Sequence, residues 1–180
     1  TNIGIYNVGT GKIEHEFNTN YQLQQAIAVS SDGKLLASGG LGMAISIWDL
    51  EKKKLKGTLS GHTGIITSLD FHPDGTKLVS TSYDQTSRVW DLGSMKEIQK
   101  FVDQKICSSD AVFSPDGKLL ATASWDKTIK VRDTETWSVR HKLEGHLNMI
   151  TSIDFNADGT LLVSGASNNA VSKADNSVIV

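Results

Sequence analysis

Apolar and polar residues alternate with a period of two along most of this chain, and turn residues interrupt every run. That alternation predicts short strands, each with one face turned to a core. Residues 65–101 give the clearest unit: "IITSLDF" reads as strand a, "HPDG" turns into strand b "KLVSTS", and "YDQT" turns into strand c "SRVW". After "DLGSM" comes strand d, "KEIQKF". Asp-Gly between apolar runs is a strong hairpin signal, because glycine accepts the positive φ of such turns. No stretch carries a sustained helical period.

The same unit recurs. The turns "SDG", "PDG", "PDG" and "ADG" place Asp32, Asp74, Asp116 and Asp158 at a constant step of 42 residues. Trp48, Trp90 and Arg132 keep that step, each followed by aspartate, and Gly61-His62 returns as Gly145-His146. Several independent marks in one register exclude coincidence.

A unit of this length with four antiparallel strands and Gly-His and Trp-Asp marks resembles one blade of a WD40-repeat β-propeller. "GHTGIITSLDFHPDGTKLVSTSYDQTSRVWD" carries the resemblance, with "FSPDGKLLATASWDKTIKVRD" and "GHLNMITSIDFNADGTLLVSG" as partial copies. It covers essentially the whole chain and implies an all-β fold. Residues 1–18 then hold strands c and d of a preceding blade, 23–59, 65–101 and 107–143 are blades, and 149–180 is an incomplete blade. Since the resembled family builds rings of about seven blades, the sequence reads as an arc of about four, a piece of a longer protein whose other blades lie outside it.

The resemblance also implies a hydrogen-bonded chain within each blade, matched here by His62, Ser80, Asp84 and Trp90. A buried indole N–H needs an acceptor, a hydroxyl can accept and donate onward, and imidazole can pass the link to a carboxylate. The rival reading is a serine, histidine and aspartate hydrolase. Against it, Ser80 lies within a strand, no G-x-S-x-G surrounds it, and the other repeats hold decayed copies. The blade from Leu23 keeps Ser38 and Trp48 but has Asn20 and Gly42 at the histidine and aspartate positions; the blade from Cys107 keeps Thr122 and Asp126 but has Gln104 and Arg132 at the histidine and tryptophan positions. Arg132 is expected to reach the surface or pair with a carboxylate such as Asp133, and the decayed blades to be held mostly by apolar packing. The last blade has His146 and Ser164; a strict step of 42 then puts Asn168 at the turn aspartate and Lys173 opposite Val131, whereas an insertion of seven residues, the preferred alignment, sets Asp175 against Asp126, and Val178 and Val180 against Ile129 and Val131.

Composition adds limits. A formal net charge of −2 sets up no global field toward nucleic acid or membranes, and "EKKKLK", with Lys52, Lys53, Lys54 and Lys56, reads as a solvated turn. Cys107 is the single cysteine and no N-glycosylation sequon occurs, which points to an intracellular setting, cytoplasm or nucleus. No apolar run reaches membrane-spanning length. "GTGK" and "GGLGMA" fail as phosphate or dinucleotide loops, and the histidines lack zinc-ligand spacing, so no cofactor or metal is expected. Cys107 opens a strand a and reads as a small apolar residue.

Function is therefore expected in loops rather than strands. The d-to-a and b-to-c loops share one face of such a fold. On it, the residue before the turn aspartate is Tyr83 in one blade and Trp125 in the next, with Leu41 at the matching place. These three are the expected anchors for a protein or peptide partner, with Gln104, Lys105, Asn148 and a long polar loop over 168–174 as weaker contributors. The expected role is a non-catalytic interaction scaffold within a larger complex. An RNA-associated propeller in a ribonucleoprotein assembly is the alternative, with any nucleic acid contact indirect.

Overall fold

The computed structural model describes residues 2–20, 22–102 and 105–167, together with the backbone of residues 178–179. Every regular element among them is a strand. A leading pair, β1 (Asn2–Tyr6) and β2 (Ile13–Asn18), is followed by three four-stranded sheets paired in chain order. The first blade is β3 (Gln24–Val29), β4 (Leu35–Gly40), β5 (Ile45–Asp49) and β6 (Lys54–Leu59). The second is β7 (Ile66–Phe71), β8 (Lys77–Ser82), β9 (Ser87–Asp91) and β10 (Lys96–Phe101). The third is β11 (Ser108–Phe113), β12 (Leu119–Ser124), β13 (Thr128–Asp133) and β14 (Val139–Glu144). A last sheet holds β15 (Ile150–Phe155), β16 (Leu162–Ala166) and β17 (Val178–Ile179).

All pairings are antiparallel. The innermost strands β3, β7, β11 and β15 stand next to one another, so the sheets fan out from one axis as blades. Among the described residues the arc does not close.

The turns explain why each motif residue is where it is. At the a-to-b turn Gly33, Gly75, Gly117 and Gly159 hold φ of 70, 71, 73 and 72°, a region L side chains avoid. The aspartate before each glycine accepts a backbone N–H two residues on, from Lys34, Thr76, Lys118 and Thr160 at 2.8–3.0 Å. After strand c, Asp49, Asp91 and Asp133 accept the N–H of Lys52, Ser94 and Thr136 at 2.7, 2.7 and 2.9 Å, closing the c-to-d turn. The aspartate of each Trp-Asp pair is thus a turn former, and burial lies elsewhere.

The core sits between blades. Ile45, Ile47 and Leu59 of the first blade meet Ile66, Leu69 and Phe71 of the second; Val79, Val89 and Phe101 of the second meet Ala111, Phe113 and Leu120 of the third. Ala121, Ile129 and Val131 then pack on Ile150 and Ile153. Strand b is buried along nearly its whole length because blades cover both of its faces, whereas strand a alternates between buried and partly exposed positions.

Two features of register matter below. In every blade the pairing of strand a with strand b is broken at the same place, leaving Gln25, Thr67, Ser109 and Thr151 as bulge residues. In the last sheet Ser164 faces Ile179, whereas Thr122 of the third blade faces Lys130. Lys130 to Ile179 is 49 residues, seven more than the repeat, which is the offset of the insertion alignment; the inserted loop over 168–174, Asp175 and Val180 lie outside the described residues.

Candidate functional site

Two arrangements could do something chemical, the buried hydroxyl–imidazole–carboxylate chain of the second blade and the mouth of the axis. In the first, Trp90 Nε1 donates to Ser80 Oγ at 2.8 Å, and Ser80 Oγ stands 2.7 Å from His62 Nε2. An indole can only donate, so the hydroxyl accepts from Trp90 and gives its own proton to His62 Nε2. His62 Nδ1 then carries the hydrogen and donates to Asp84 Oδ2 at 2.7 Å. Asp84 also accepts the N–H groups of Thr63 and Thr86, both at 3.0 Å, and the Thr86 hydroxyl at 2.6 Å.

Burial sets the protonation. Burial lowers the pKa of His62 more than the Asp84 carboxylate raises it, so the ring is held neutral. Asp84 is pushed up by burial, yet the bonds from Thr86, His62 and Thr63 outweigh that and hold it at about 2. Arg88 extends the chain outward: its Nη1 donates to Glu97 Oε2 of β10 at 2.7 Å and its Nη2 lies 3.5 Å from Asp84 Oδ2. A Cβ on Gly61 would lie 2.6 Å from Arg88 Nη1 and 3.2 Å from the Trp90 ring, which is why glycine precedes the histidine.

The order of bonds matches that of a hydrolytic triad. Accessibility separates them: Ser80 is 0% exposed and Trp90 1%, so the hydroxyl meets no solvent and one side of its oxygen is taken by the indole. What the chain can do is tie β8 to β9 and both to the segment before β7.

Among the described residues the other blades show parts of the same arrangement. Trp48 Nε1 donates to Ser38 Oγ at 2.9 Å, and His146 Nε2 stands 2.8 Å from Ser164 Oγ. Asp126 accepts from Lys105 N at 3.2 Å and from Thr128 N and Oγ1 at 3.1 and 2.7 Å. Asn20 is exposed at φ 52°, and a Cβ on Gly42 would collide with the Gln22 side chain, which fills the space.

Arg132 corrects the sequence expectation. It is 1% exposed, Nη1 donates to Thr122 Oγ1 at 2.8 Å, and Cζ sits 4.3 Å from the centre of the Phe101 ring. Trp48 stacks in the same way on Phe17, at 4.9 Å between ring centres. A guanidinium is flat, weakly hydrated and rich in donors, so it performs both tasks of the indole, donation to the strand b hydroxyl and stacking on the preceding blade. The carboxylate of Asp133 pairs instead with Arg140. The third blade is therefore not held by apolar packing alone.

At the mouth, the ring centres of Tyr83 and Trp125 lie 5.4 Å apart and the planes are inclined at 56°. Tyr83 and Leu41 are each 43% exposed and Trp125 is half-buried. Tyr83, Trp125 and Leu41 occupy equivalent turns, each donating its N–H to the carbonyl just before strand a, at 2.9, 3.1 and 3.1 Å. Tyr83 and Trp125 flank a depression whose other walls are Gln25, Thr67, Ser109 and Thr151, the four bulge residues; Leu41 stands outside it. This row escaped the sequence reading, although positions 25, 67, 109 and 151 keep the step of 42 and are all polar. Lys105 is exposed, Asn148 is buried rather than on a rim, and Gln104 falls outside the described residues. Cys107 is buried, and burial pushes its thiol up to about 12.

Residues 13–49, 53–91, 96–133 and 137–180 each match the WD domain, G-beta repeat, known as WD40. The chain is 48% identical over 48 residues to the U3 snoRNP-associated protein-like YAOH of Oryza sativa subsp. japonica, covering 27% of this chain and 9% of that protein. It is 38% identical over 61 residues to the U3 snoRNP-associated protein-like EMB2271 of Arabidopsis thaliana, covering 33% and 13%. With the general transcriptional corepressor TUP1 of Saccharomyces cerevisiae it shares 43% over 47 residues, 26% and 7%. The matched stretches thus span a small part of each relative. Four repeat matches covering most of the residues, on blades that fan from one axis, establish that the chain belongs to the WD-repeat family of protein-interaction scaffolds.

Proposed function

We propose that this chain is part of a non-catalytic scaffold that grips a protein or peptide partner at the mouth of its axis. The observation that carries this reading is the Tyr83–Trp125 pair, two aromatic rings from adjacent blades flanking a depression with polar walls. Rigid aromatic anchors beside a concave surface offer large contact area for little entropy cost. Trp125 and Tyr83 are the principal anchors, with Leu41 on the next tip as an outlying contact. The His62, Ser80, Asp84 and Trp90 chain serves stability, as do its partial copies through Ser38, Trp48, Thr122, Asp126, His146 and Ser164.

The names of the relatives, snoRNP-associated proteins and a transcriptional corepressor, favour membership of a large nuclear assembly. A ribonucleoprotein setting is compatible with the protein-contact reading. Direct RNA binding is not favoured, since Lys52 and Lys53 sit exposed in a c-to-d turn, on the face opposite Trp125.

Affinity purification of the full-length protein against a Tyr83→Ala, Trp125→Ala version tests the reading. Loss of one or more partners with an unchanged thermal midpoint is expected; retention of all partners overturns it. Esterase or peptidase activity that disappears in a folded Ser80→Ala variant would overturn the non-catalytic assignment.

A further inference from the structure

The first blade lacks the side chains with which the second closes the space beside its tryptophan. In the second blade Arg88 fills that space and is 7% exposed. Its Nε donates to Thr86 Oγ1 at 3.2 Å, its Nη1 to Glu97 Oε2 at 2.7 Å, and its Nη2 lies 3.5 Å from Asp84 Oδ2. One repeat of 42 residues earlier, Arg88, Thr86, Glu97 and Asp84 correspond to Ser46, Ala44, Leu55 and Gly42. The guanidinium arm, its hydroxyl acceptor and both of its counter-charges are missing together.

Space results. Gln22 takes the part beside Gly42, and a cavity of about 210 Å³ remains between the leading pair and the first blade. Trp48 and Leu55 form its apolar wall, and Asn18, Ser46 and Thr58 its polar one. Trp48 is fixed by stacking on Phe17 and by its bond to Ser38 Oγ, so the wall is rigid. Ser46 and Thr58 stand opposite each other on β5 and β6. Among the described residues no hydrogen bond engages Ser46 Oγ, Thr58 Oγ1 or Asn18 Nδ2, and no charged side chain lines the cavity. A concave site with an apolar wall and a few convergent polar groups is the usual form of a ligand pocket.

We propose that this cavity is a second docking point, which takes the carboxamide of a glutamine side chain presented by a protein partner. The second blade shows the shape that fits: a long unbranched stem with a flat head beside the indole. Charge then decides the head group. Without the carboxylates that face Arg88, a cation would lose water and gain no counter-charge, and the walls offer a carboxylate no cation. A carboxamide is flat and neutral and both donates and accepts, which suits two hydroxyls and an amide N–H. None of these residues lines the depression beside Tyr83 and Trp125, so the proposal does not depend on the reading of the mouth.

The test uses the full-length protein and five-residue glycine–serine peptides with glutamine, arginine, glutamate or norleucine at the centre, titrated while following the Trp48 indole resonance. The glutamine peptide should bind at least about five-fold tighter than each of the others. Ser46→Val removes one hydroxyl at nearly constant volume; it should weaken the glutamine peptide about five-fold and leave norleucine unchanged. Ser46→Arg with Leu55→Glu rebuilds the pair of the second blade inside the cavity and should abolish binding of every peptide; if that variant fails to fold, Ser46→Val decides. Trp125→Ala should leave glutamine binding unchanged, whatever it does to the partners of the mouth. Equal or tighter binding of arginine, glutamate or norleucine, or no binding of any peptide, overturns the proposal. So does glutamine binding that survives in the folded, filled variant or that disappears with Trp125→Ala.

Discussion

The second and third blades solve one structural problem with different residues. In the second, Trp90 reaches Ser80, and the link runs on through His62 to Asp84. In the third, Arg132 reaches Thr122 and lies on Phe101, while Asp126 is engaged separately by Thr128 and Lys105. The slot demands a flat group with a donor at its tip; tryptophan meets that by indole and arginine by guanidinium. Among the described residues of the third blade, Asp126 is held by Lys105 and Thr128 rather than by an imidazole, whereas the second blade runs as one connected chain from Trp90 to Asp84. Connected buried bonds polarise one another, so the second blade is expected to be the firmer of the two.

The comparison can be broken at its strongest point first. Trp90→Ala empties a large buried volume and leaves Ser80 short of a donor, so a loss of about 4 kcal/mol is expected in chemical unfolding. Arg132→Ala should cost less, about 2–3 kcal/mol, and an equal or larger loss would reverse the ranking of the blades. Next, His62→Ala should cost about 2–3 kcal/mol by leaving Ser80 and Asp84 unpaired; an unchanged thermal midpoint would deny the relay any role.

Acid sharpens the same contrast. Asp84, held at about 2, contributes stability that is present above about pH 4 and is lost as pH falls through about 2. Asp70, raised to about 6 by burial, has the opposite sign: the stability it contributes below about pH 4 is lost as pH rises through about 6. Asp70→Asn should accordingly stabilise the protein by about 1–2 kcal/mol at pH 7.5 and by nothing at pH 4, read from midpoints at both pH values. The smallest effect belongs to Arg132→Trp, which restores an indole over Phe101 within reach of Thr122 and should change stability by less than about 1 kcal/mol.

The blade architecture was legible because three local devices repeat in one register: alternation, Asp-Gly turns and Trp-Asp turns. Each is written in adjacent residues, so no tertiary information is needed to see it. The sequence left two registers for the last blade and favoured the seven-residue offset because it puts Val178 and Val180 at the strand c positions; the pairing of Ser164 with Ile179 has that offset. Arg132 was misjudged because charge suggests exposure, whereas the slot is set by Phe101 of a neighbouring blade, far away in sequence. The bulge row was overlooked for a different reason. A bulge shifts strand pairing without changing the alternation of residue types enough to be noticed, so Ser109 reads as one more polar position until the register of β11 on β12 is known.

Residues that hold the blades differ from those proposed to meet a partner, and one pull-down compares the two sets directly. Full-length protein carrying Ser80→Ala and full-length protein carrying Trp125→Ala are assayed side by side, at a temperature well below both unfolding midpoints. Ser80→Ala should recover the partners of the parent despite a lowered midpoint, and Trp125→Ala should lose them at an unchanged midpoint. Recovery of partners by Trp125→Ala together with their loss from folded Ser80→Ala would contradict the account.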